Sequence, residues 1–185
     1  GTIVRGESNI PNFNNRIEKV FYQRKVEPTR EALQAIHEAD VIVYGIGSLY
    51  TSIMPNLIVD GVVEQLRSNT VKKIYFCNAM TQPGETDDFT LEDHVAAIQK
   101  HSFPEAVDIV ITHNNRASDH ILKKYKEMGS EPVRVAQKEH SYQILYRDVL
   151  NFDDDLIRHD SNKIRDVLGE IINSKDEEEC LLQQK

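Results

Sequence analysis

Three mostly apolar runs of strand length, each followed by a polar turn and then a segment with helical spacing, constrain this chain most. The runs cover 40–44, 73–77 and 107–111. Nearly continuous apolar strands are typical of a sheet that is buried on both faces, because a sheet with one wet face alternates apolar and polar residues. The repeated order of strand and helix predicts an α/β fold with helices on both sides of a mainly parallel sheet.

The rest of the pattern predicts one domain over residues 1–173, followed by a frayed acidic tail at 174–185. Helical spacing is present at 29–36, 61–66, 91–100, 118–128 and 161–172, and shorter strands are expected at 16–22, 132–135 and 144–146. Thr90 and Asp93 have the spacing of a capping box, Gly129 is placed to end a helix, and Asp160 or Ser161 is placed to begin the last one.

Composition excludes several classes of protein. The chain has 185 residues and a net charge of -8, which argues against general nucleic-acid binding because phosphate backbones would be repelled. Its longest apolar runs are too short to cross a membrane. Cys77 and Cys180 lie far apart with no CxxC pair, which is typical of a reducing cytoplasm and gives no zinc site.

The turn after the first apolar run is a candidate phosphate-binding loop. Parallel sheets bind ligands at the carboxyl ends of their strands, and here the turn reads Gly-Ile-Gly-Ser-Leu-Tyr-Thr-Ser over 45–52. The hydroxyls of Ser48, Thr51 and Ser52 could bind phosphate oxygens together with backbone amides, above all if a helix begins at Thr51 or Ser52. A glycine-rich turn with an N-capping serine explains the same residues equally well, and the spacing leaves both interpretations open.

Polar residues follow the other two runs as well. Asn78 and Thr81 could bind a base or ribose, although the turn at 78–86 contains a Pro-Gly pair and could be structural only. The lone His113 after the third run is more often a hydrogen-bonded structural residue than a catalyst. Near the end of the chain Arg158 could contact a phosphate, or it could pair with the acidic run at 153–155.

Three segments together resemble the gluconeogenesis-factor (YvcK-like) family, whose distant relative is the CofD-type 2-phospho-L-lactate transferase. These segments are 39–57, 77–86 with Asp93-His94-Val95, and 157–161. The chain departs from the family in having Ile46 where a proline is usual. It also has no Gly-Gly-Gly-Thr-Gly loop, so we expect it to lack the N-terminal portion of the family fold.

The resemblance implies a Rossmann-like three-layer fold and a cytoplasmic, non-catalytic regulator. Such a regulator binds a nucleotide sugar of the UDP-N-acetylglucosamine type and links carbon metabolism to cell-wall synthesis and cell shape. The ligand-binding residues that it implies are Gly45, Gly47, Ser48, Leu49, Tyr50, Thr51, Ser52, Asn78, Met80, Thr81, Tyr125 and Arg158. Ser161 matches a phosphorylation site, which implies a regulatory kinase, and self-association into a homo-oligomer is a further expectation.

The same resemblance allows a second hypothesis, a phospholactyl transferase that uses a guanosine nucleotide and magnesium. We favour the regulator because no acid, base or nucleophile constellation accompanies the phosphate-type loop. The chain also lacks tryptophan, and its cleft turns offer only Tyr50 and Phe89 as an aromatic slot for a deazaflavin. No catalytic residue and no metal ligand is assigned from the sequence, and the question of catalysis stays open.

Overall fold

A four-stranded parallel sheet forms the centre of the molecule. The computed structural model describes residues 1–13, 16–136 and 139–182, with side chains as far as Asn173. The strands lie in the order β1 (Ile42–Tyr44), β2 (Lys73–Phe76), β3 (Ile109–His113) and β4 (Gln143–Arg147), each parallel to its neighbour. All four carboxyl ends therefore lie at one edge of the sheet.

Helices connect these strands as the repeated pattern predicts. They are α1 (Arg30–Glu38), α2 (Met54–Leu57), α3 (Asp60–Ser68), α4 (Leu91–His101), α5 (Asp119–Glu127) and α6 (Ser161–Leu182). A short antiparallel hairpin of β5 (Leu150–Asn151) and β6 (Arg158–His159) precedes α6. No helix in the described part of the chain is long and apolar enough to cross a membrane.

Alternate residues of β2 contribute to two separate cores. Ile74 and Phe76 pack in one cluster with Val167 of α6, whereas Tyr75 packs on the opposite face in a cluster that contains Ile98 of α4. Successive side chains of a strand point to opposite faces, and full burial of one such side chain stabilises the fold by about 1.5–3 kcal/mol. The expected Rossmann-like three-layer architecture is confirmed.

Local capping signals are confirmed where helices begin. Thr90 Oγ1 accepts a hydrogen bond from the Asp93 amide at 3.2 Å, and Asp93 Oδ2 accepts from the Thr90 amide at 2.9 Å, which completes the predicted capping box. At α6 the capping residue is Asp160, whose Oδ1 accepts from the Asn162 amide at 2.9 Å and from the Lys163 amide at 3.1 Å. These contacts need only residues a few positions apart, which is why the sequence reveals them.

Two predicted strands and the predicted end of the last helix are wrong. Residues 16–22 form no strand and are anchored by side chains instead, with the Val20 amide donating to His101 Nε2 at 3.1 Å. The predicted strand at 132–135 is reduced to isolated bridges at Pro132 and Arg134. Helix α6 continues to Leu182 rather than ending at Ile172; the side chains of the predicted tail, and residues 183–185, lie outside the described residues.

Candidate functional site

The turns after β1 and β2 meet at the carboxyl edge of the sheet. Asn78 joins them directly, because its Nδ2 donates to the carbonyl oxygen of Gly47 at 3.0 Å. Its Oδ1 accepts a hydrogen bond from the Tyr75 hydroxyl at 2.9 Å. Both ends of the Asn78 side-chain amide are thus hydrogen-bonded, and the residue acts as a clamp between the two turns.

The helical segment after the first turn begins earlier than predicted. A π-helical turn starts at Leu49 and continues into α2, so neither Thr51 nor Ser52 is the first helical residue. The Ser48 hydroxyl hydrogen-bonds that of Thr51 and lies 3.3 Å from that of Ser52. Leu49 and Tyr50 are buried in the core, so they can offer a ligand only their backbone amides.

A buried carboxylate, Glu85, occupies the N-terminus of this helical segment. Its side chain is hydrogen-bonded to the Tyr50 amide and the Thr51 hydroxyl. Burial raises the pKa of Glu85, and these two hydrogen bonds act in the opposite direction. Its Oε2 is shielded from solvent and has no hydrogen-bond partner within the described residues. A phosphate at the Tyr50 amide would therefore compete with Glu85, since two anions at one site repel each other.

The second turn is tied to the segment that follows α5. The Thr81 amide donates to the carbonyl oxygen of Glu131 at 2.7 Å, and Thr81 Oγ1 accepts from the Glu131 amide at 2.9 Å. Met80 forms an isolated antiparallel bridge with Pro132. These contacts engage the Thr81 hydroxyl and place the segment 131–134 beside the carboxyl edge.

The β5–β6 hairpin also lies at the carboxyl edge of the sheet, on the other side from segment 131–134. His159 is largely buried and hydrogen-bonds the backbone of Cys77, at the end of β2. Burial lowers the pKa of His159, and the neighbouring His113 at the end of β3 lowers it further. The hairpin therefore lies across the ends of β2 and β3.

A cavity of about 590 Å³ lies between these segments. That volume is within the range of small-molecule sites. Most of its wall is apolar, and its polar side chains come from the turn after β3 and from segment 131–134. Its lining residues are Ala79, Met80, His113, Asn115, Arg116, Ala117, Leu122, Glu131, Pro132, Arg134, Leu150, Phe152 and Ile157.

Of the residues predicted to bind ligand, only Met80 lines this cavity. Tyr125 lies behind the wall, where its hydroxyl accepts a hydrogen bond from the Ile157 amide at 2.9 Å. Arg158 is exposed beside Ile157 and outside the lining. Among the described residues it forms no ion pair with the acidic run at 153–155, so the predicted alternative of a salt bridge is not observed.

The sequence analysis did not assign the residues at the end of β3 to the site, and it did not identify segment 131–134 as part of it. His113 and Asn115 follow an apolar strand, a signal that marks the ligand edge of a parallel sheet. Arg134 gave no such signal, because it reaches the edge through bridges to residues more than forty positions earlier in the chain.

We expect Asn78→Ala to lower the free energy of unfolding by about 1–2 kcal/mol, because it removes two hydrogen bonds and leaves the Tyr75 hydroxyl without its acceptor. Urea denaturation measures this loss. Asn56→Ala is the matched control, since Asn56 is exposed and makes only a local bond to the Ser52 carbonyl. Equal stability of the two variants would show that Asn78 does not clamp the turns.

Known proteins share this fold and sequence. A family profile described as 2-phospho-L-lactate transferase CofD matches residues 1–150. The gluconeogenesis factor of Halalkalibacterium halodurans is 43% identical over 176 residues, which cover 92% of this chain and 54% of that protein. The gluconeogenesis factor of Bacillus subtilis is 36% identical over 176 residues, covering 93% of this chain and 56% of the relative.

Solved structures agree with these sequence relatives. A crystal structure of a Bacillus halodurans protein superposes with a TM-score of 0.86 at 42% identity, over 90% of this chain and 55% of that one. A second crystal structure, described as a member of the UPF0052 family, has a TM-score of 0.84. The chain spans about half the length of the curated relatives named above. On this sequence and structural evidence, the chain belongs to the CofD family, and the relatives named above are gluconeogenesis factors.

Proposed function

We propose that this protein is a regulator that binds a nucleotide sugar of the UDP-N-acetylglucosamine type in the cavity at the carboxyl edge of the sheet. Binding would report carbon supply to cell-wall synthesis and cell shape. The observation that carries the proposal is the cavity itself, which four segments from different parts of the chain build where parallel sheets bind ligands.

The chemistry of the cavity wall suits a ligand with an anionic part and a less polar part. Met80, Phe152 and Leu150 supply apolar surface, and Arg134 lies in the same wall. Within the described residues Arg134 makes no ion pair, although the chain as a whole is acidic. An unpaired guanidinium is suited to bind a diphosphate by paired hydrogen bonds.

The described residues contain no magnesium site made of protein ligands alone. Magnesium takes several oxygen ligands in near-octahedral order, and substrate phosphates and water often supply part of them. Among the described residues no group of three His, Cys, Asp or Glu side chains could hold a metal ion. Asp87, in the turn after β2, accepts a hydrogen bond from the Gly84 amide at 2.7 Å through its Oδ2. We derive no step through a metal.

Isothermal titration calorimetry tests the proposal directly. We expect UDP-N-acetylglucosamine to bind with a dissociation constant below the millimolar range, in the absence of magnesium. The same titration with GDP, with and without magnesium, gives the comparison. Binding of GDP alongside failure of UDP-N-acetylglucosamine to bind would contradict the proposal and favour the transferase hypothesis.

Arg134→Ala should weaken binding of UDP-N-acetylglucosamine about tenfold or more, because a charged hydrogen bond is worth roughly 1.5–3 kcal/mol. Arg158→Ala tests the residue that the family resemblance implicates, and we expect a smaller loss since Arg158 lies outside the cavity lining. Arg165→Ala is the control, because Arg165 is exposed on α6 and pairs with Asp166. If the Arg134 and Arg165 variants bind equally well, Arg134 does not contact the ligand.

Ser161 is proposed as the regulatory phosphorylation site. It is exposed and is the first residue of α6, directly after the capping residue Asp160. Its position four residues after Ile157 and three before Ile164 places it between the cavity wall and the core that packs on β3. A phosphate there would add negative charge near Arg158. Regulation of ligand binding by a kinase would act through that change in charge.

A further inference from the structure

Two of the residues that line the cavity carry hydrogen-bond acceptors without a partner, one at the last position of β3 and one in the turn that follows it. The ring of His113 is oriented by its Nδ1, which lies 2.8 Å from the carbonyl oxygen of Asn115. A carbonyl can only accept, so Nδ1 carries the hydrogen and Nε2 of the neutral ring is an acceptor. Within the described residues Nε2 forms no hydrogen bond.

The second acceptor is Oδ1 of Asn115, and a chain of contacts behind the cavity sets its orientation. Asn115 Nδ2 donates to Oδ1 of Asp148, which also accepts from Lys163 Nζ at 2.8 Å. Lys163 Nζ is held in turn by the carbonyl oxygen of Leu150 at 2.7 Å.

The hydrogen bond from Asn115, followed by that from Lys163, holds the pKa of Asp148 below its usual range. Asp148 is therefore a carboxylate that accepts and does not donate. An acceptor-only partner assigns the NH₂ group of Asn115 to the side of Asp148 and its oxygen to the other side. That oxygen is shielded from solvent and has no partner in the described structure.

We propose that His113 and Asn115 determine specificity by accepting hydrogen bonds from the sugar ring of the ligand. This inference rests on the proposed function and names the part of the ligand that the β3 end of the cavity recognises. A buried acceptor without a partner destabilises the folded protein. A hydrogen bond from the ligand to such an acceptor therefore contributes its full free energy to binding.

The sugar fits this pair of acceptors better than uracil does. A hexosamine ring presents several hydroxyl groups and an amide N–H, all of which can donate. The pairing edge of uracil presents one N–H between two carbonyl oxygens, and those oxygens would face acceptor atoms. A guanine edge is the other donor-rich surface, so GDP must be included in the test.

The experiment compares dissociation constants for UDP-N-acetylglucosamine, UDP and GDP, measured by calorimetry. The variants are His113→Phe and Asn115→Leu, which retain bulk and remove the acceptors. We expect each to weaken UDP-N-acetylglucosamine about tenfold and to leave UDP unchanged, because UDP carries no sugar ring beyond its ribose. Asn114→Ala is the matched control, since Asn114 is exposed, adjacent in sequence and outside the cavity lining.

Asp148→Asn is a second variant that leaves the cavity lining intact. An asparagine at 148 can donate as well as accept, so the Asn115 amide loses its imposed orientation. We expect a severalfold loss for UDP-N-acetylglucosamine only, and because Asn115 itself is unchanged, a change in the packing of the cavity wall does not explain such a loss. ¹⁵N chemical shifts of the His113 ring should show the hydrogen on Nδ1 in the free protein.

The outcomes separate this inference from the proposed function. Equal losses for UDP and UDP-N-acetylglucosamine would overturn the inference, since the acceptors would then contact the shared nucleotide, while the proposed function would stand. No loss in any variant, or a loss confined to GDP, would also overturn it. Failure of the unmodified protein to bind either uridine ligand would overturn the proposed function and the inference with it.

Discussion

Gly84→Ala is expected to destabilise the protein by about 3 kcal/mol. Gly84 has a φ of +78°, a conformation that costs an L-residue about 1–2 kcal/mol. A Cβ at this position would also lie 2.6 Å from the Cα of Pro11, which belongs to the 3₁₀ helix Glu7–Asn12. The obstruction is backbone, so relief requires the N-terminal segment to move away from the turn after β2.

Urea denaturation and limited proteolysis of residues 1–13 measure this effect. Gly169→Ala is the matched control, because Gly169 lies within α6 and a Cβ there meets nothing within 4 Å. We expect that variant to gain about 0.5–1 kcal/mol, since alanine is the better helix former. Retained stability and protease resistance in Gly84→Ala would show that the N-terminal segment does not pack as described.

The second large effect is a loss of stability in mild acid, caused by histidines whose pKa is lowered in the folded protein. Burial is the main cause that lowers the pKa of His94, His101 and His159. His94 is fully buried, and its Nε2 has no hydrogen-bond partner in the described residues, so protonation there would bury an unpaired charge. His101 must be neutral at Nε2 to accept from the Val20 amide, so its protonation breaks that hydrogen bond.

The sign of this change in stability follows from the number of protons that the folded and the unfolded state bind. A histidine in the unfolded chain titrates near 6.5, and each of these three titrates lower in the folded protein, so the unfolded state binds more protons just below that pH. Their contribution is fully present above about pH 7 and is lost as the pH falls through 6.5 toward the folded pKa values. The raised pKa of Glu85 acts in the opposite direction at lower pH.

We expect the free energy of unfolding to be lower at pH 5.5 than at pH 7.5, because each of these histidines can contribute at most about 1.4 kcal/mol over one pH unit. Urea denaturation at both pH values measures the difference. His94→Gln should make the difference smaller, because it removes the fully buried histidine. Equal stability at the two pH values would contradict the lowered pKa of these histidines.

Local patterns predicted most of the secondary structure. The apolar runs became β1, β2 and β3, and the capping box at Thr90 begins α4 as its spacing indicates. The segment 16–22 shows where this reasoning fails. Its alternation is suitable for a strand, but a strand needs a neighbouring strand to pair with. In the folded chain the Val20 amide instead donates to the His101 ring of α4, and the Tyr22 hydroxyl donates to the Pro55 carbonyl of α2.

The candidate site, too, was only partly predictable from the sequence. Parallel strand order brings the turns after Gly45 and Cys77 to one edge, as the alternation of elements predicts, and Asn78 joins them. The occupant of the helix N-terminus at Tyr50 was not predictable, because Glu85 reaches it from a different loop. A glycine-rich turn with hydroxyls looks the same in sequence whether a phosphate or a carboxylate of the protein satisfies its amides.

The amino-acid sequence by itself determined the order of strands and helices, the edge of the sheet at which the candidate site lies, and the family. These depend on periodicity and on contacts between residues a few positions apart, which the linear order preserves. Only the tertiary structure decided which side chains surround the cavity and in what orientation. Arg134, Phe152 and the oriented amide of Asn115 come from separate connections, and their proximity arises only when the sheet packs against its helices.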